Sequence, residues 1–229
     1  MSQPFFHVIL VAAGSSSRMM ADLPKPYMDL AGKPVLKHSI DLFSSIDMCK
    51  SITIAINPDH QSLFDDLIHS EKVTTVHGGK TRQESVYRAL KSLSCADDDI
   101  ILIHDAARPL VNEIDIKTLC LALTEEKTAS LASPVRDTLR YRDGAGYASD
   151  SVDREDLWAI ETPQGFHYGL LLEAHEKFGS KKEYTDDTNI TSELGIRTKL
   201  IPSTSPNLKI TYPHDFILVE SLLLSDKEK

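Results

Sequence analysis

Short, wholly apolar runs alternate with longer stretches of helical periodicity through the first half of the chain, which predicts strands and helices in turn. Val8 to Val11 is continuously β-branched and aliphatic, as expected of a strand buried on both faces. Pro34 suits the first turn of a helix reaching about Phe43, with Val35, Leu36, Ile40 and Phe43 facing inward. Ser51 to Ile56 is a second strand closed by Asn57-Pro58, and Asp59 or Ser62 opens the next helix. Val73 to His77 is a third strand, broken by Gly78-Gly79. Thr81 to Ser94 then reads as a helix, and Ile100 to His104 as a fourth strand opening onto Asp105. Ile116, Leu119, Cys120 and Leu123 keep helical spacing, and Ser130 to Val135 is a strand again.

The texture changes between Arg136 and Asp156, where charges, glycines and turn residues leave little to bury. Thr138 to Arg142, the Asp143-Gly144 turn and the residues after it predict a hairpin projecting from the domain. An arm with so little core needs a surface to rest on, and a second subunit is the obvious one. Order resumes at Leu157 to Glu161, followed by a helix using Tyr168, Leu171, Leu172 and His175. Thr185 caps a short helix through Leu194, and strands are expected near Lys199 to Ile201 and Leu208 to Thr211. Pro213 opens a last helix ending near Leu224. The economical description is one domain over residues 1–229, with 136–156 as a dimerisation arm.

Composition narrows the function classes. With 229 residues, 41% hydrophobic and 26% charged, the chain reads as an ordinary globular domain, and no apolar run approaches the roughly 20 residues of a membrane span. The N-terminal MSQPFFHVIL lacks a basic region and is not expected to be a signal peptide. A net charge of −9 argues against broad nucleic-acid binding, so a polyphosphate would need a local cationic pocket. Cys49, Cys95 and Cys120 show neither pairing nor metal-ligand spacing, which fits a reducing, cytoplasmic setting.

Candidate chemistry gathers at strand exits, where open α/β sheets place their ligands. The stretch HVILVAAGSSSRMMADLPK leads from the first strand into Ala12, Ala13 and Gly14, whose backbone a ligand can approach. Ser15, Ser16 and Ser17 offer hydroxyls and a helix start suited to an anion, with Arg18 and Lys25 behind them. Neither G-x-G-x-x-G nor G-x-x-x-x-G-K-[ST] is present, which disfavours a nicotinamide dehydrogenase and a Walker-type NTPase. Further candidates are His104 to Pro109, Asp137-Thr138, Asp153-Arg154, Thr162-Pro163-Gln164, Thr185-Asp186-Asp187 and Asn207-Leu208-Lys209. On spacing alone, Asp105 is equally a turn residue, Asp153-Arg154 a solvated hairpin face, and Thr185-Asp186 a helix start. Lys209 within a strand pattern needs a partner for its charge.

Together these motifs resemble the 2-C-methyl-D-erythritol 4-phosphate cytidylyltransferase family. The marks are AAGSSSRM at 12–19, PK at 24–25, GG at 78–79, HDAARP at 104–109, PVRDT at 134–138, VDR at 152–154, TPQ at 162–164, TDD at 185–187 and NLKIT at 207–211. The resemblance implies a three-layer, Rossmann-like α/β nucleotidyltransferase fold, mostly parallel, with a protruding β-arm. It implies transfer of a cytidylyl group from CTP to methylerythritol phosphate in isoprenoid-precursor synthesis, with Mg²⁺ as divalent cofactor and a homodimer through the arm. Carried over to this chain, Arg18, Lys25, Arg154 and Lys209 would be catalytic. Ala12, Ala13, Gly14, Ser15, Ser17, Gly79 and Ser85 would line the CTP site. Asp105, Arg108, Thr138, Thr162 and Thr185 would bind substrate, Asp105 doubling as the metal ligand. Thr138 and Arg154 would serve the neighbouring subunit's site.

Three positions depart from the common pattern: Val11 where many relatives have proline, Lys80 where they often carry an acid, and Thr188 where alanine is common. None removes a charge the mechanism needs. The rivals are another polyol-phosphate cytidylyltransferase, such as one making CDP-ribitol, and a catalytically dead nucleotide-binding regulator.

Overall fold

The computed structural model describes residues 4–227 other than 15, 16, 20, 22, 66, 68 and 69, with the backbone alone at 17, 226 and 227. The elements are β1 (Phe6–Ala12), β2 (Asp29–Leu30), β3 (Lys33–Pro34), α1 (Val35–Ser45), β4 (Cys49–Ile56), α2 (Gln61–Asp65), β5 (Val73–His77), α3 (Arg82–Ser92), β6 (Ile100–Asp105) and α4 (Glu113–Ala122). They continue with β7 (Thr128–Pro134), β8 (Arg140–Arg142), β9 (Ala148–Ser151), β10 (Trp158–His167), α5 (Tyr168–Phe178), α6 (Asp187–Ser192), β11 (Lys199–Pro202) and α7 (Pro213–Lys227).

Seven strands form one sheet in the order β11-β7-β10-β6-β1-β4-β5. Every pairing is parallel except those of β10, which runs antiparallel to both β6 and β7. Side chains alternate across β1 as a pleated strand requires. Phe6, Val8 and Leu10 enter the larger core with α1, α2 and α4, whereas Ile9 joins α3 and α5 on the opposite face. The result is the expected three-layer α/β arrangement. From β1 the chain moves to β4 and β5 on one side, then returns to β6 on the other. That reversal opens a crevice beyond the carboxyl ends of β1 and β6, at Ala12–Gly14 and Asp105–Ala107.

Several expectations are corrected by partners that the sequence does not reveal. The serine run was expected to begin a helix; Ser15 and Ser16 lie outside the described residues, and the described ones form 3₁₀ turns at Ser17–Met19 and Lys25–Tyr27. Asp186, not Thr185, caps α6, its Oδ1 accepting from Asn189 N at 3.0 Å. Thr162-Pro163-Gln164 lies within β10, not in a loop; its Thr162-Pro163 bond is cis and the pairing with β7 shifts there. Leu208 to Thr211 belongs to no strand. One backbone bond, from Ile210 N to Ala107 O at 2.8 Å, lays it along the β6 exit.

The arm forms as the composition suggests. Val135 N donates to Leu157 O, continuing the β7–β10 ribbon outward, and β8 then pairs with β9 alone. Its turn is longer than Asp143-Gly144, for the residue with positive φ is Gly146, and Asp143 Oδ1 accepts from both Ala145 N and Tyr147 N. Tyr141 and Tyr147 are exposed.

Candidate active site

The crevice between β1 and β6 holds a cavity of about 520 Å³. Its walls include Ala12, Ala13 and Gly14 from the β1 exit, Gly79 to Arg82 and Ser85 from the start of α3, and Asp105 to Ala107 from the β6 exit. Arg18, Lys25, Lys209 and Thr211 also line it. Five cations, Arg18, Lys25, Lys80, Arg82 and Lys209, thus face one carboxylate, Asp105, among the described lining residues. A chain of net charge −9 has here gathered a local surplus of positive charge suited to a polyphosphate.

The small-residue wall is set by close packing. A Cβ added to Gly78 would lie 2.4 Å from Ala13 Cβ and 2.8 Å from Ser85 Oγ, so only glycine lets the two loops meet. Ser85 is buried, donating to Thr81 O at 2.8 Å and accepting from Gly79 N at 3.0 Å. Its hydroxyl therefore shapes the Gly78-Gly79 turn. Thr81 caps α3 by accepting from Glu84 N at 3.1 Å.

The charged wall centres on Asp105. Arg82 Nε lies 2.9 Å from Asp105 Oδ1, and Lys209 Nζ lies 2.6 Å from Oδ2. Burial alone would raise the Asp105 pKa, but Arg82 and Lys209 more than reverse this and hold it well below the usual carboxylate range. Lys25 Nζ donates to Ile210 O at 2.7 Å. Burial, then the neighbouring Lys209 and Arg18, pulls the Lys25 ammonium below its ordinary pKa. Arg18 reaches across to the Tyr212 ring, 6.0 Å from its centroid.

Behind the cavity, a chain of polar contacts fixes the β6 exit. Asp105 N donates to Thr162 Oγ1 at 3.0 Å, and that hydroxyl lies 3.1 Å from His104 Nδ1. His104 Nε2 faces Arg108 O at 3.2 Å, which makes Nε2 the protonated nitrogen and Thr162 the donor to Nδ1. Burial lowers the His104 pKa to about 4, so the ring is neutral at neutral pH. Arg108 Nη1 donates to Asn207 O at 2.6 Å, and Asn207 Nδ2 donates to Thr162 O at 2.7 Å.

The expected residues therefore do not all lie at the cavity. Ala12, Ala13, Gly14, Arg18, Lys25, Gly79, Ser85, Asp105 and Lys209 line one cavity. Ser15, and the side chain of Ser17, lie outside the described residues. Thr162 is buried beneath the wall with its hydroxyl already engaged, and Arg108 sits beside it. Thr138 and Arg154 are exposed at the arm, Arg154 donating to Arg136 O, while Thr185 is exposed ahead of α6. None of those three lines the cavity.

Sequence reasoning missed Arg82, which bridges Asp105 to Asp187 at 2.9 and 2.6 Å. A signal was present: a cation in the first turn of a helix opposes the macrodipole and wants an anionic partner. Asn57 and Thr211, also on the wall, had no such signal.

A divalent cation finds one carboxylate among the described lining residues, Asp105, and both its oxygens carry cationic partners. Among the described residues, the one cluster of three potential ligands, His7, Cys95 and Asp99, lies at the opposite end of β1. The donor set fits Mg²⁺ carried chiefly on the ligand's phosphates, not a protein-built cage.

Known proteins resemble the chain along nearly its whole length. The family model described as 2-C-methyl-D-erythritol 4-phosphate cytidylyltransferase matches residues 6–225. A protein of that name from Desulforamulus reducens is 36% identical over 221 residues, spanning 94% of each chain. A solved 4-diphosphocytidyl-2C-methyl-D-erythritol synthase from Anaerococcus prevotii superposes with a TM-score of 0.85 at 26% identity, covering 97% of both chains. The 2-C-methyl-D-erythritol 4-phosphate cytidylyltransferase of Thermus thermophilus gives 0.81 at 30% identity, covering 95% of this chain and 98% of its own.

Proposed function

We propose a division of labour among the cavity's charged groups from one premise: the chain belongs to the 2-C-methyl-D-erythritol 4-phosphate cytidylyltransferase family. It is a nucleotidyltransferase of isoprenoid synthesis, joining CTP to 2-C-methyl-D-erythritol 4-phosphate with release of pyrophosphate. The attacking atom is a phosphate oxygen, already anionic at neutral pH, so no side chain need remove a proton. The protein must align two anions and neutralise charge around an in-line displacement at the α-phosphorus.

Arg18 and Lys25 are assigned to the α-phosphate and departing pyrophosphate. Lys209, with Arg154, holds the acceptor phosphate for attack, and Asp105 and Arg108 serve the ribose or polyol hydroxyls. Ala12, Ala13, Gly14, Ser15, Ser17, Gly79 and Ser85 form the cytidine side. Thr138 and Thr185 are hydroxyl partners of the acceptor, while Thr162 supports Asp105 from beneath. The observation that carries this reading is the convergence of Arg18, Lys25 and Lys209 on a cavity whose sole described carboxylate is Asp105. Mg²⁺ bound with the triphosphate would offset its charge, and Asp105 is the protein group nearest to hand for it.

A homodimer through residues 136–156 accounts for the arm. β8 and β9 pair only with each other among the described strands, and exposed Leu139, Tyr141 and Tyr147 give a second subunit something to cover. Thr138 and Arg154 then complete the partner's site. Three free cysteines fit a cytoplasmic enzyme, and no described helix is long and apolar enough to cross a membrane.

The deciding experiment measures CTP- and Mg²⁺-dependent pyrophosphate release with methylerythritol phosphate and ribitol phosphate in competition. Faster turnover of methylerythritol phosphate is expected. Preference for ribitol phosphate would reassign the acceptor, and no release with either would favour a nucleotide-binding regulator.

A further inference from the structure

Arg82 is the first residue of α3, directly after its Thr81 cap, and faces the positive end of the helix dipole. Two carboxylates compensate it: Nε meets Asp105 Oδ1 at 2.9 Å and Nη1 meets Asp187 Oδ2 at 2.6 Å. Both acids are buried, at 6% and 2% exposure. Asp187 is itself held, its backbone N donating to Gln164 Oε1 at 3.0 Å and His175 Nε2 lying 3.5 Å from Oδ1. Arg82 thus braces the cavity wall against α6 and β10.

The other cation on Asp105 is Lys209, whose side chain is 40% exposed and whose segment lies in no strand. If Lys209 were Asp105's sole counter-ion, a substrate phosphate would have to win the ammonium from a buried carboxylate. Such a carboxylate cannot be left unpaired cheaply. A guanidinium resolves the conflict, because its planar fork serves two carboxylates at once and it stays charged.

We infer that Arg82 is a positioning residue for the transfer: it keeps Asp105 paired and in place while Lys209 turns to a substrate phosphate. This rests on the cytidylyl-transfer reading above. Arg82 Nη2 is buried and has no hydrogen-bond partner among the described residues. Although Arg82 also lines the cavity, its Nε and Nη1 are committed to Asp105 and Asp187, so the role is exerted through Asp105 and Lys209.

Steady-state kinetics on wild type, Arg82→Gln, Arg82→Lys, Asp187→Asn and the double variant Arg82→Gln/Asp187→Asn test this, alongside circular dichroism and CTP calorimetry. The double variant leaves no orphaned Asp187 charge and so guards against simple misfolding. Both glutamine variants should lose at least about tenfold more kcat/KM for the acceptor than Asp187→Asn alone, with Arg82→Lys in between. CTP affinity should fall in the glutamine variants, because Asp105 drawn toward Lys209 leaves its ribose hydroxyl partner. Equal losses in Asp187→Asn and Arg82→Gln would overturn the proposal, reducing Arg82 to a tie between α3 and α6. A lysine no better than glutamine would also overturn it. Wild type that turns over only another polyol phosphate refutes the acceptor reading, yet the same ratios are then measured with that acceptor. Wild type releasing no pyrophosphate refutes transfer itself, and unchanged CTP affinity in the double variant then sinks the positioning role too.

Discussion

Lys209 Nζ lies 2.6 Å from Asp105 Oδ2, joining the end of β6 to a segment outside the strands and 104 residues later in the chain. The pair places a cation on the cavity wall without leaving it unpaired in the absence of ligand. Arg82 already occupies the other oxygen, so the contact is available for exchange.

Lys209→Ala is therefore expected to separate activity from stability. Its kcat/KM should fall on the order of 10²-fold, the scale of losing one preorganised charge contact. Its melting temperature should fall only modestly, because Lys209 is the half-exposed partner of the pair and buried Asp105 keeps Arg82 on its other oxygen. A large loss of stability with activity retained would refute the assignment.

Lys25 sets an alkaline limit. Burial and the cations Lys209 and Arg18 disfavour its charge, so its ammonium deprotonates below the ordinary lysine value of 10.5. Activity needs the charged form and should decline as pH rises through that depressed pKa. The kcat/KM profile, which reports the free enzyme, is the measurement. Lys25→Arg, which stays protonated, should remove this limb. An unaltered alkaline limb in that variant would place the titration elsewhere.

His104 makes folding sensitive to mild acid. Its folded pKa of about 4 lies under its unfolded value of 6.5, so the unfolded chain binds the proton more readily. The contribution is present in full above 6.5 and is lost as pH falls from there to about 4. It amounts to about 3 kcal/mol at 1.36 kcal/mol per unit. His104→Gln should flatten denaturant-derived stability across that window, apart from the same-signed effect of His7. The carboxylates Asp105 and Asp187, whose pKa values are also lowered, act at lower pH. An unchanged slope would mean His104 is not the titrating group.

Gly78 and Gly14 should respond differently to alanine. At Gly78 the new Cβ meets Ala13 Cβ at 2.4 Å and Ile56 O at 3.3 Å, so Gly78→Ala should cost about 1–3 kcal/mol and weaken CTP binding. Nothing lies within 4 Å of a Cβ on Gly14, so Gly14→Ala should leave the melting temperature unchanged while intruding on the cavity. Thermal melts with CTP calorimetry distinguish the two, and a wild-type-like Gly78→Ala would contradict the packing.

The arm proposal is tested by mixing. Inactive Lys25→Ala and inactive Arg154→Ala subunits should regain activity together, since a mixed dimer can assemble one site with both native residues. Verified mixed dimers without recovery would show that Arg154 acts within its own chain.

Strand and helix patterning was legible wherever burial was repetitive. Val8–Val11 and Ile100–His104 had to be central strands, because continuous β-branched and aliphatic runs leave no face for water. Leu208 to Thr211 also reads as a strand from its residues yet joins none, because a strand exists only if a neighbour supplies its ladder. The same limit explains Thr162-Pro163-Gln164: proline reads as a break, yet β10 runs through it with a shifted register.

By itself, the sequence determined the alternating architecture, the small-residue loop after β1, the exposed arm and the order of motifs that identifies the family. These come from local periodicity, turn chemistry and residue identity. Only the tertiary structure decided that Arg82, Asp105, Asp187 and Lys209 form one charge network, and that Thr162 supports the wall instead of lining it. Arg82 reaches partners 23 and 105 residues away, and no local pattern specifies which buried charges will meet. The sheet order does so, by bringing the ends of β1 and β6 together where burial makes each ion require a partner.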